Sequence, residues 1–168
     1  MRLLAVDPAS NVIGLAYFDR PDHLVQTAII RAPAGPDTSP SSWLEKVEFF
    51  EARIQDRSVL WAPDVIAMED VVVWRNAASA LTLGRSWGWL AHVLKCEYRK
   101  AEFIEINTAT VRSALGLSSR ADRKARQLAA RAAFPMCASQ DEADAAAVGM
   151  TAYRVIAKLR AAAGLAPV

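Results

Sequence analysis

Two short apolar segments of this sequence each end in a carboxylic acid. Residues 3–6 (LLAV) are followed by Asp7, and residues 65–68 (VIAM) are followed by Glu69. An almost wholly apolar run of this length is typical of a strand that is covered on both faces of a sheet. Acidic side chains are almost never fully buried without a partner. If the two strands lie side by side, both carboxylates emerge at one edge of the sheet, where their repulsion requires a cation.

The other segments complete an α/β protein with one sheet of mixed strand direction. Apolar runs at 12–18 and 24–30, separated by turn residues, predict that the first three strands form an antiparallel meander, and residues 103–106 form a last strand. Helices are predicted to start at Ser41 or Ser42, near Asn76, at Asn107 or Thr108, at Ser118 or Ser119, and at Ser139.

The composition suits a single folded domain. The chain has 168 residues, of which 53% are hydrophobic. We expect one domain over residues 1–160 and a flexible C-terminal tail over 161–168. No stretch reaches the roughly 18 apolar residues that cross a bilayer, and the first apolar run is too short for a signal peptide. These features predict a cytoplasmic protein without a membrane partner.

Histidine and cysteine are too scarce to carry the chemistry. The chain has 2 of each, and the cysteines lack the spacing of metal ligands. A zinc enzyme or a histidine-based nucleophilic triad is therefore hard to assemble. We interpret each histidine as a surface or core residue.

The charged residues are segregated along the chain. Residues 1–70 hold 6 Lys/Arg and 11 Asp/Glu, whereas residues 71–131 hold 11 Lys/Arg and 4 Asp/Glu. Lysine and arginine neutralise phosphates, while isolated carboxylates recruit cations. The pattern favours a protein that holds a polyanion at a metal site, with ordinary solvated helix faces as the alternative.

A second pair of acids lies at the start of the last predicted helix. Asp141 and Asp144 are three residues apart and share one helix face. With Asp7 and Glu69 they supply four hard oxygen donors of the kind that Mg²⁺ or Mn²⁺ takes. Taken singly, Asp7 before Pro8 could start a turn, and Asp141 could favour the helix dipole.

Three motifs, in order along nearly the whole chain, carry a resemblance to a known family. Asp7-Pro8-Ala9-Ser10 with Gly14 resembles the D-P-x-S-x-x-x-G opening of RuvC-type Holliday-junction resolvases. Ile66 to Glu69, with the Asn76 to Gly84 segment after it, is similar to that family's second acidic strand and following helix. Asp141-Glu142-Ala143-Asp144-Ala145 resembles its closing D-x-x-D-A helix.

The resemblance implies a fold, an activity and a catalytic set. The fold is a ribonuclease H-like mixed five-stranded sheet flanked by helices. The implied catalytic and metal-binding tetrad, which would hold two Mg²⁺ or Mn²⁺ ions, consists of Asp7, Glu69, Asp141 and Asp144. The implied activity is symmetric cleavage of four-way DNA junctions to 5′-phosphate and 3′-hydroxyl ends, in a bacterial or phage-encoded protein.

A basic segment supplies candidate DNA contacts. Residues 112–131 hold six basic residues and one acid, Asp122, a composition typical of a phosphate-contacting stripe. The alternative is an amphipathic helix with a solvated basic face. The family carries an aromatic residue where this chain has Val72, and we expect Trp74 either to stack on DNA or to lie in the core. The expected DNA-binding residues are Trp74, Arg75, Arg112, Arg120, Arg123, Lys124 and Arg126. The resemblance implies that Arg112 and either Arg123 or Lys124 lie near the scissile phosphate.

Two glycines in the second predicted helix indicate a close approach by another backbone. Gly84 and Gly88 are four apart on one helix face, and each costs about 1 kcal/mol relative to alanine. The resemblance implies a homodimer at this helix, which also suits two symmetric cuts. The alternative is close packing of the helix on its own sheet.

Two other functions remain open from the residues. One is a nuclease of the same fold that processes structured RNA precursors, which also fits Asp7 and Gly14. The other is an actin-like nucleotide-binding protein, although the 7 glycines are scattered and form no second phosphate loop.

Overall fold

The computed structural model describes residues 1–32, 40–58, 61–70, 77–118 and 120–166. In these residues the chain forms one five-stranded sheet with the strand order β3-β2-β1-β4-β5. The strands are β1 (Leu3–Pro8), β2 (Val12–Arg20), β3 (His23–Arg31), β4 (Val65–Glu69) and β5 (Glu102–Ile106). The first three strands are antiparallel to one another, and β4 and β5 run parallel to β1. The predicted meander and mixed sheet are therefore confirmed.

Five helices flank this sheet in the described part of the chain. They are α1 (Pro40–Ser58), α2 (Ala77–Glu97), α3 (Thr108–Ala114), α4 (Arg123–Ala133) and α5 (Gln140–Ala162). None of them is long and apolar enough to cross a membrane. Helix α5 extends two residues into the segment that we expect to be a tail.

Two of the predicted helix starts are wrong. Helix α1 begins at Pro40, ahead of Ser41 and Ser42, since proline suits the first turn, where its missing N–H has no partner to lose. Helix α4 begins at Arg123 rather than near Ser118 or Ser119, because Asp122 caps it by accepting a hydrogen bond from the Ala125 N–H. Ser118 instead accepts a turn hydrogen bond from Ala121, and Ser119 lies outside the described residues.

The other cap predictions are confirmed. Asn107 caps α3 by accepting from the Ala109 N–H, and Gly116 follows this helix with a φ of +76°. Ser139 caps α5 in a capping box with Glu142, whose side chain returns to the Ser139 N–H.

The parallel pairing of β1 with β4 sets the position of the two strand-end acids. Val6 is in register with Met68, so Asp7 and Glu69 are the next residues at the same edge of the sheet. Alternate residues of each strand point to opposite faces. Leu3 and Ala5 of β1 and Val65 and Ala67 of β4 pack on the face covered by α5. Asp7 and Glu69 continue that alternation and therefore belong to the α5 face.

The two faces of the sheet are packed with different side chains. On one face, α1 and α2 contribute large residues such as Phe50, Ile54, Leu90 and Leu94 to the core. On the other face, α5 contributes mainly small ones, from Ala143 through Ala147 to Ala152. Small side chains let α5 lie close to the sheet, which brings its acidic first turns near the ends of β1 and β4.

Candidate active site

Asp7 and Glu69 lie together where β1 and β4 end. Glu69 is buried, with 6% of its surface exposed, and Asp7 is partly buried. The Trp87 indole N–H of α2 donates to the Glu69 carbonyl at 3.0 Å, and the Asp70 N–H donates to the Ile106 carbonyl at 3.0 Å. These bonds fix the end of β4, so the direction of the Glu69 side chain is set by the sheet.

Helix α5 brings the second pair of acids to the same place. Asp144 is buried, with 5% exposed, and Asp141 is partly exposed one turn earlier. Gly14, the partner of Asp7 on β2, makes this approach possible. A β-carbon on Gly14 would lie 2.1 Å from the backbone carbonyl oxygen of Asp141, which is much too close. The glycine of the opening motif therefore sets the distance between α5 and the sheet.

A guanidinium group lies among these carboxylates. One nitrogen of Arg126, Nη1, donates to Oε1 of Glu69, and the other, Nη2, is 3.8 Å from Oδ2 of Asp144. Only 13% of the Arg126 side chain is exposed. We therefore group Arg126 with the carboxylate cluster rather than with the DNA-contacting residues, because its charge is turned inward from α4.

Both acids of the second pair also contact other side chains. The Gln140 side-chain amide donates to Oδ1 of Asp144 at 3.1 Å and to the Gln127 carbonyl of α4 at 3.2 Å. Asp141 pairs with the exposed Arg31 of the edge strand β3, at 3.6 Å between Nη2 and Oδ2. Asp144 is thus held from two sides, whereas Asp141 has one long, solvent-exposed contact.

The electrostatics of the cluster show an excess of negative charge. Burial raises the pKa of Asp7 well above its usual range, and the neighbouring charges of Glu69 and Asp144 raise it further. Burial also raises the pKa of Asp144, although Arg126 and Gln140 partly oppose that rise. Burial on its own would lower the pKa of Arg126, but the charges of Glu69, Asp144 and Asp7 raise it above its ordinary value. One guanidinium does not neutralise this group of acids.

The carboxylates form the floor of an open cleft of about 720 Å³. Arginines from the segment after β5 line the same cleft: Arg112 from α3, the exposed Arg120, and Arg123 at the start of α4. Lys124, also exposed, does not line it. All four predicted tetrad residues line this cleft. Trp74 and Arg75 lie outside the described residues.

The two glycines of α2 are exposed and make no close contact with the described part of the chain. A β-carbon on Gly84 or on Gly88 would meet no atom of the described residues within 4 Å. The alternative that these glycines pack on the chain's own sheet is therefore wrong. Leu81, one turn before Gly84, is 59% exposed, so this face of α2 is open from Leu81 to Gly88.

The donor set fits a divalent cation in chemistry and charge. Asp7, Glu69, Asp141 and Asp144 offer only carboxylate oxygens, the ligands that Mg²⁺ and Mn²⁺ prefer. Burial raises the pKa of Asp7 and the charges of Glu69 and Asp144 raise it further, so a bound cation would stabilise the charged form of this carboxyl. Within the described residues, however, no three carboxylate, imidazole or thiol groups converge in a geometry that is ready to hold a metal ion.

Sequence reasoning missed the roles of three residues. Arg126 is one of six basic residues in its segment, and nothing in the composition separates it from those facing solvent. Gly14 offered a signal, since a glycine inside an apolar strand often marks a close approach. Gln140 is four residues before Asp144 on the same helix, a spacing that allows their contact, but its second hydrogen bond, to the Gln127 carbonyl, depends on the packing of α4 against α5.

Comparison with known proteins places the chain in a family. A model of the family "crossover junction endodeoxyribonuclease RuvC" matches residues 3–152. The RuvC protein of Halorhodospira halophila is 30% identical over 153 residues, which cover 89% of this chain and 87% of that protein. The RuvC protein of Neisseria gonorrhoeae is 24% identical over 159 residues, 90% of this chain and 83% of that protein.

Solved structures share the fold. Thermus thermophilus RuvC in complex with a Holliday junction substrate aligns with a TM-score of 0.72 at 19% identity, over 95% of this chain and 96% of that one. The fowlpox virus resolvase in complex with Holliday junction DNA aligns with a TM-score of 0.56 at 12% identity, over 93% and 99%. The ribonuclease H-like architecture is thereby confirmed. From the match over residues 3–152 and the relatives of similar length, we conclude that this chain belongs to the RuvC family of crossover junction endodeoxyribonucleases.

Proposed function

We propose that this protein is a divalent-metal-dependent endonuclease that resolves four-way DNA junctions by paired, symmetric cuts. The observation that carries the proposal is that one cleft holds both groups: the acids form its floor, and Arg112, Arg120 and Arg123 form what we call its wall. The acids suit phosphodiester hydrolysis, and the arginines suit a polyanionic substrate. Related proteins are crossover junction endodeoxyribonucleases, and two of the similar structures contain Holliday junction DNA.

The floor of the cleft is assigned to the reaction. Asp7, Glu69, Asp141 and Asp144 are proposed as the catalytic and metal-binding residues. When bound, two ions of Mg²⁺ or Mn²⁺ supply activation of the attacking water and stabilisation of the leaving 3′ oxygen. The expected products carry a 5′-phosphate and a 3′-hydroxyl. The protein's own contribution is to hold these acids rigidly, with Glu69 on a central strand and Asp144 between Gln140 and Arg126.

The wall of the cleft is assigned to the DNA backbone. Arg112, Arg120 and Arg123 would contact phosphates and set the position of the strand over the acids, without reading bases. Between Arg123 and Lys124, we assign the scissile phosphate to Arg123, because only Arg123 lines the cleft. Trp74 and Arg75 remain predictions from the sequence.

We also propose a homodimer, with the open face of α2 as its interface. Gly84 and Gly88 leave room for a second backbone, and an isologous interface would place two clefts across one junction. Because its substrate would be chromosomal or phage DNA, we place the protein in the cytoplasm of a bacterium or an infected cell.

The assay that tests this function compares labelled DNA substrates with and without Mg²⁺. An immobile four-way junction should be cut at two symmetric positions, one in each of two strands, and only when Mg²⁺ is present. A flap and a linear duplex should be cut far more slowly. A structured RNA in the same assay tests the RNA-processing alternative. Preferential cleavage of that RNA would overturn the junction assignment.

Asp7→Asn tests the floor of the cleft. The substitution keeps the size of the side chain but removes a charge from the cation site, so junction cleavage should fall on the order of a thousand-fold, while junction binding changes little. Asp56→Asn is the matched control, since Asp56 is an exposed surface acid paired with Arg53 on α1. A normal cleavage rate for the Asp7 variant would remove Asp7 from the site.

Arg123→Ala with Lys124→Ala tests the basic stripe of residues 112–131. It removes one arginine that lines the cleft and the exposed lysine beside it. Each phosphate contact contributes about −0.9 to the slope of log K against log salt on duplex DNA, so the double variant should bind junctions more weakly with a slope reduced by about one to two. The measurement is binding of labelled junction over a salt series. Binding that is unchanged at every salt concentration would show that the stripe does not contact DNA.

A further inference from the structure

We propose that Arg126 is an internal cation that holds the carboxylate cluster together before metal binds and competes with the divalent ion for Glu69 and Asp144. The inference rests on the proposed function, because it concerns the same metal site. It assigns Arg126 a positioning role and makes it a determinant of metal affinity. No substrate contact by Arg126 is required.

The position of the guanidinium is the first argument. Its two terminal nitrogens reach two different acids: Nη1 donates to Oε1 of Glu69, and Nη2 lies 3.8 Å from Oδ2 of Asp144. These acids come from β4 and α5, which are far apart in the chain. A group that bridges both carboxylates occupies the space where an ion shared by them would have to lie.

The second observation is that Arg126 and the two acids are buried together. The exposed fractions of the side chains are 13% for Arg126, 8% for Glu69 and 6% for Asp144. A charge with so little access to water is costly unless it is paired, so Arg126 and the two acids stabilise one another only as a set. Arg123 and Lys124 on the same helix are exposed and place their charge in solvent.

The charge of the cluster is the third argument. Four carboxylic acids line the cleft beside Arg126, namely Asp7, Glu69, Asp141 and Asp144. The single guanidinium supplies one positive charge, so the acids can accept more positive charge than Arg126 provides. A divalent ion would satisfy them better, but only at the expense of the contacts that Arg126 now makes.

Competition of this kind has two opposite consequences that can be measured separately. Removing the guanidinium should free Glu69 and Asp144, so the site should bind Mg²⁺ or Mn²⁺ more tightly. It should also leave buried acids without a partner, so the metal-free protein should be less stable. A residue that only packs against the site would lower stability without improving metal affinity.

The experiment measures metal binding to the full chain without DNA. Calorimetric titration with Mn²⁺, and thermal unfolding in EDTA and in saturating Mn²⁺, are compared for the wild type, Arg126→Gln and Arg126→Lys. We expect Arg126→Gln to bind Mn²⁺ about tenfold more tightly or better, to unfold at a lower temperature in EDTA, and to recover most of that loss in Mn²⁺. Arg53→Gln is the matched control, because Arg53 pairs with Asp56 on the exposed surface of α1; it should change neither quantity.

Arg126→Lys keeps the experiment decisive if Arg126→Gln does not fold. An ammonium group makes a point contact and does not span two carboxylates, so this variant should bind Mn²⁺ with an affinity between those of the wild type and Arg126→Gln. Mn²⁺ affinity that is unchanged or weaker in both variants would overturn the competition. If the wild type then still cuts junctions with Mg²⁺, the proposed function stands without it. A wild type that neither binds Mn²⁺ nor cuts would overturn the proposed function instead.

Discussion

Four glycines of this protein divide into two pairs with opposite surroundings. Gly14 on β2 and Gly149 on α5 lie where other atoms leave no space: an added β-carbon would meet the Asp141 carbonyl oxygen at 2.1 Å and the Phe18 ring at 2.4 Å. Gly84 and Gly88 on α2 lie on the other side of the sheet, and added β-carbons there would meet nothing within 4 Å among the residues that the structure describes. The same residue type therefore serves close packing on one side and an open surface on the other.

The difference shows how the fold serves the site. On the α5 face, glycine and alanine remove bulk so that a helix carrying two acids can approach two strands that each end in an acid. The close packing of α5 on the sheet therefore fixes the positions of its two acids relative to Asp7 and Glu69. On the α2 face, large side chains fill the contact with the sheet, and the glycines are on the far side of the helix. This open surface is the one that we propose as the dimer interface.

Gly14→Ala should have the largest effect on the α5 side. The new methyl group would meet backbone atoms of Asp141, and backbone cannot rotate away as a side chain can, so the first turn of α5 must move off the sheet. We expect destabilisation at or above the usual overpacking range of about 1–3 kcal/mol, together with a loss of junction cleavage. Chemical unfolding and the cleavage assay measure the two effects.

Ile13→Val is the control for that variant. Ile13 is the preceding residue of the same strand, but it packs in the core on the opposite face. Removing one methylene there should cost about 0.5–1.5 kcal/mol and leave cleavage near normal. Equal losses of cleavage in the two variants would mean that stability, and not the position of Asp141, limits activity.

Gly149→Ala should have a smaller effect, because the obstacle is a side chain. The new β-carbon would press on the Phe18 ring, which is fully buried and packs edge-on against Tyr153. Overpacking costs about 1–3 kcal/mol, and the gain in helix propensity offsets about 1 kcal/mol of it. The expected net loss is between zero and about 2 kcal/mol in the free energy of unfolding. A clear gain in stability would show that the Phe18 ring moves freely enough to accept the new methyl group.

The sequence predicts the strands of this protein well because their signals are local. Apolar runs that end in Asp7 and Glu69, and turn residues between the first three strands, are readable without a structure. The pairing of β1 with β4 then follows from a common arrangement, and it places the two acids side by side. Helix caps are less certain, since Asp122 and Ser118 are both acceptable caps and only the packing of α4 selects one of them.

The site is predicted less completely because its electrostatics depend on tertiary packing. The four acids stand out in the sequence as polar residues that end or interrupt apolar runs. Arg126 does not stand out, because an arginine in a basic segment looks the same whether it faces water or a buried acid. The packing of α4 against α5 turns Arg126 inward. That packing depends on contacts between the two helices, such as the hydrogen bond from Gln140 to the Gln127 carbonyl.

Gly84→Ala with Gly88→Ala should have the smallest effect on folding per site, and of the opposite sign to that of Gly14→Ala. Each new methyl group meets no described atom within 4 Å, and each alanine gains up to about 1 kcal/mol in helix propensity, so the isolated chain should become more stable. If a second copy packs on these glycines, the added methyl groups would separate the two backbones and weaken the dimer. Thermal unfolding at low concentration and sedimentation equilibrium measure the two effects. More stable chains that still dimerise with unchanged affinity would move the interface away from this face, and the comparison between the two glycine pairs would lose its functional meaning.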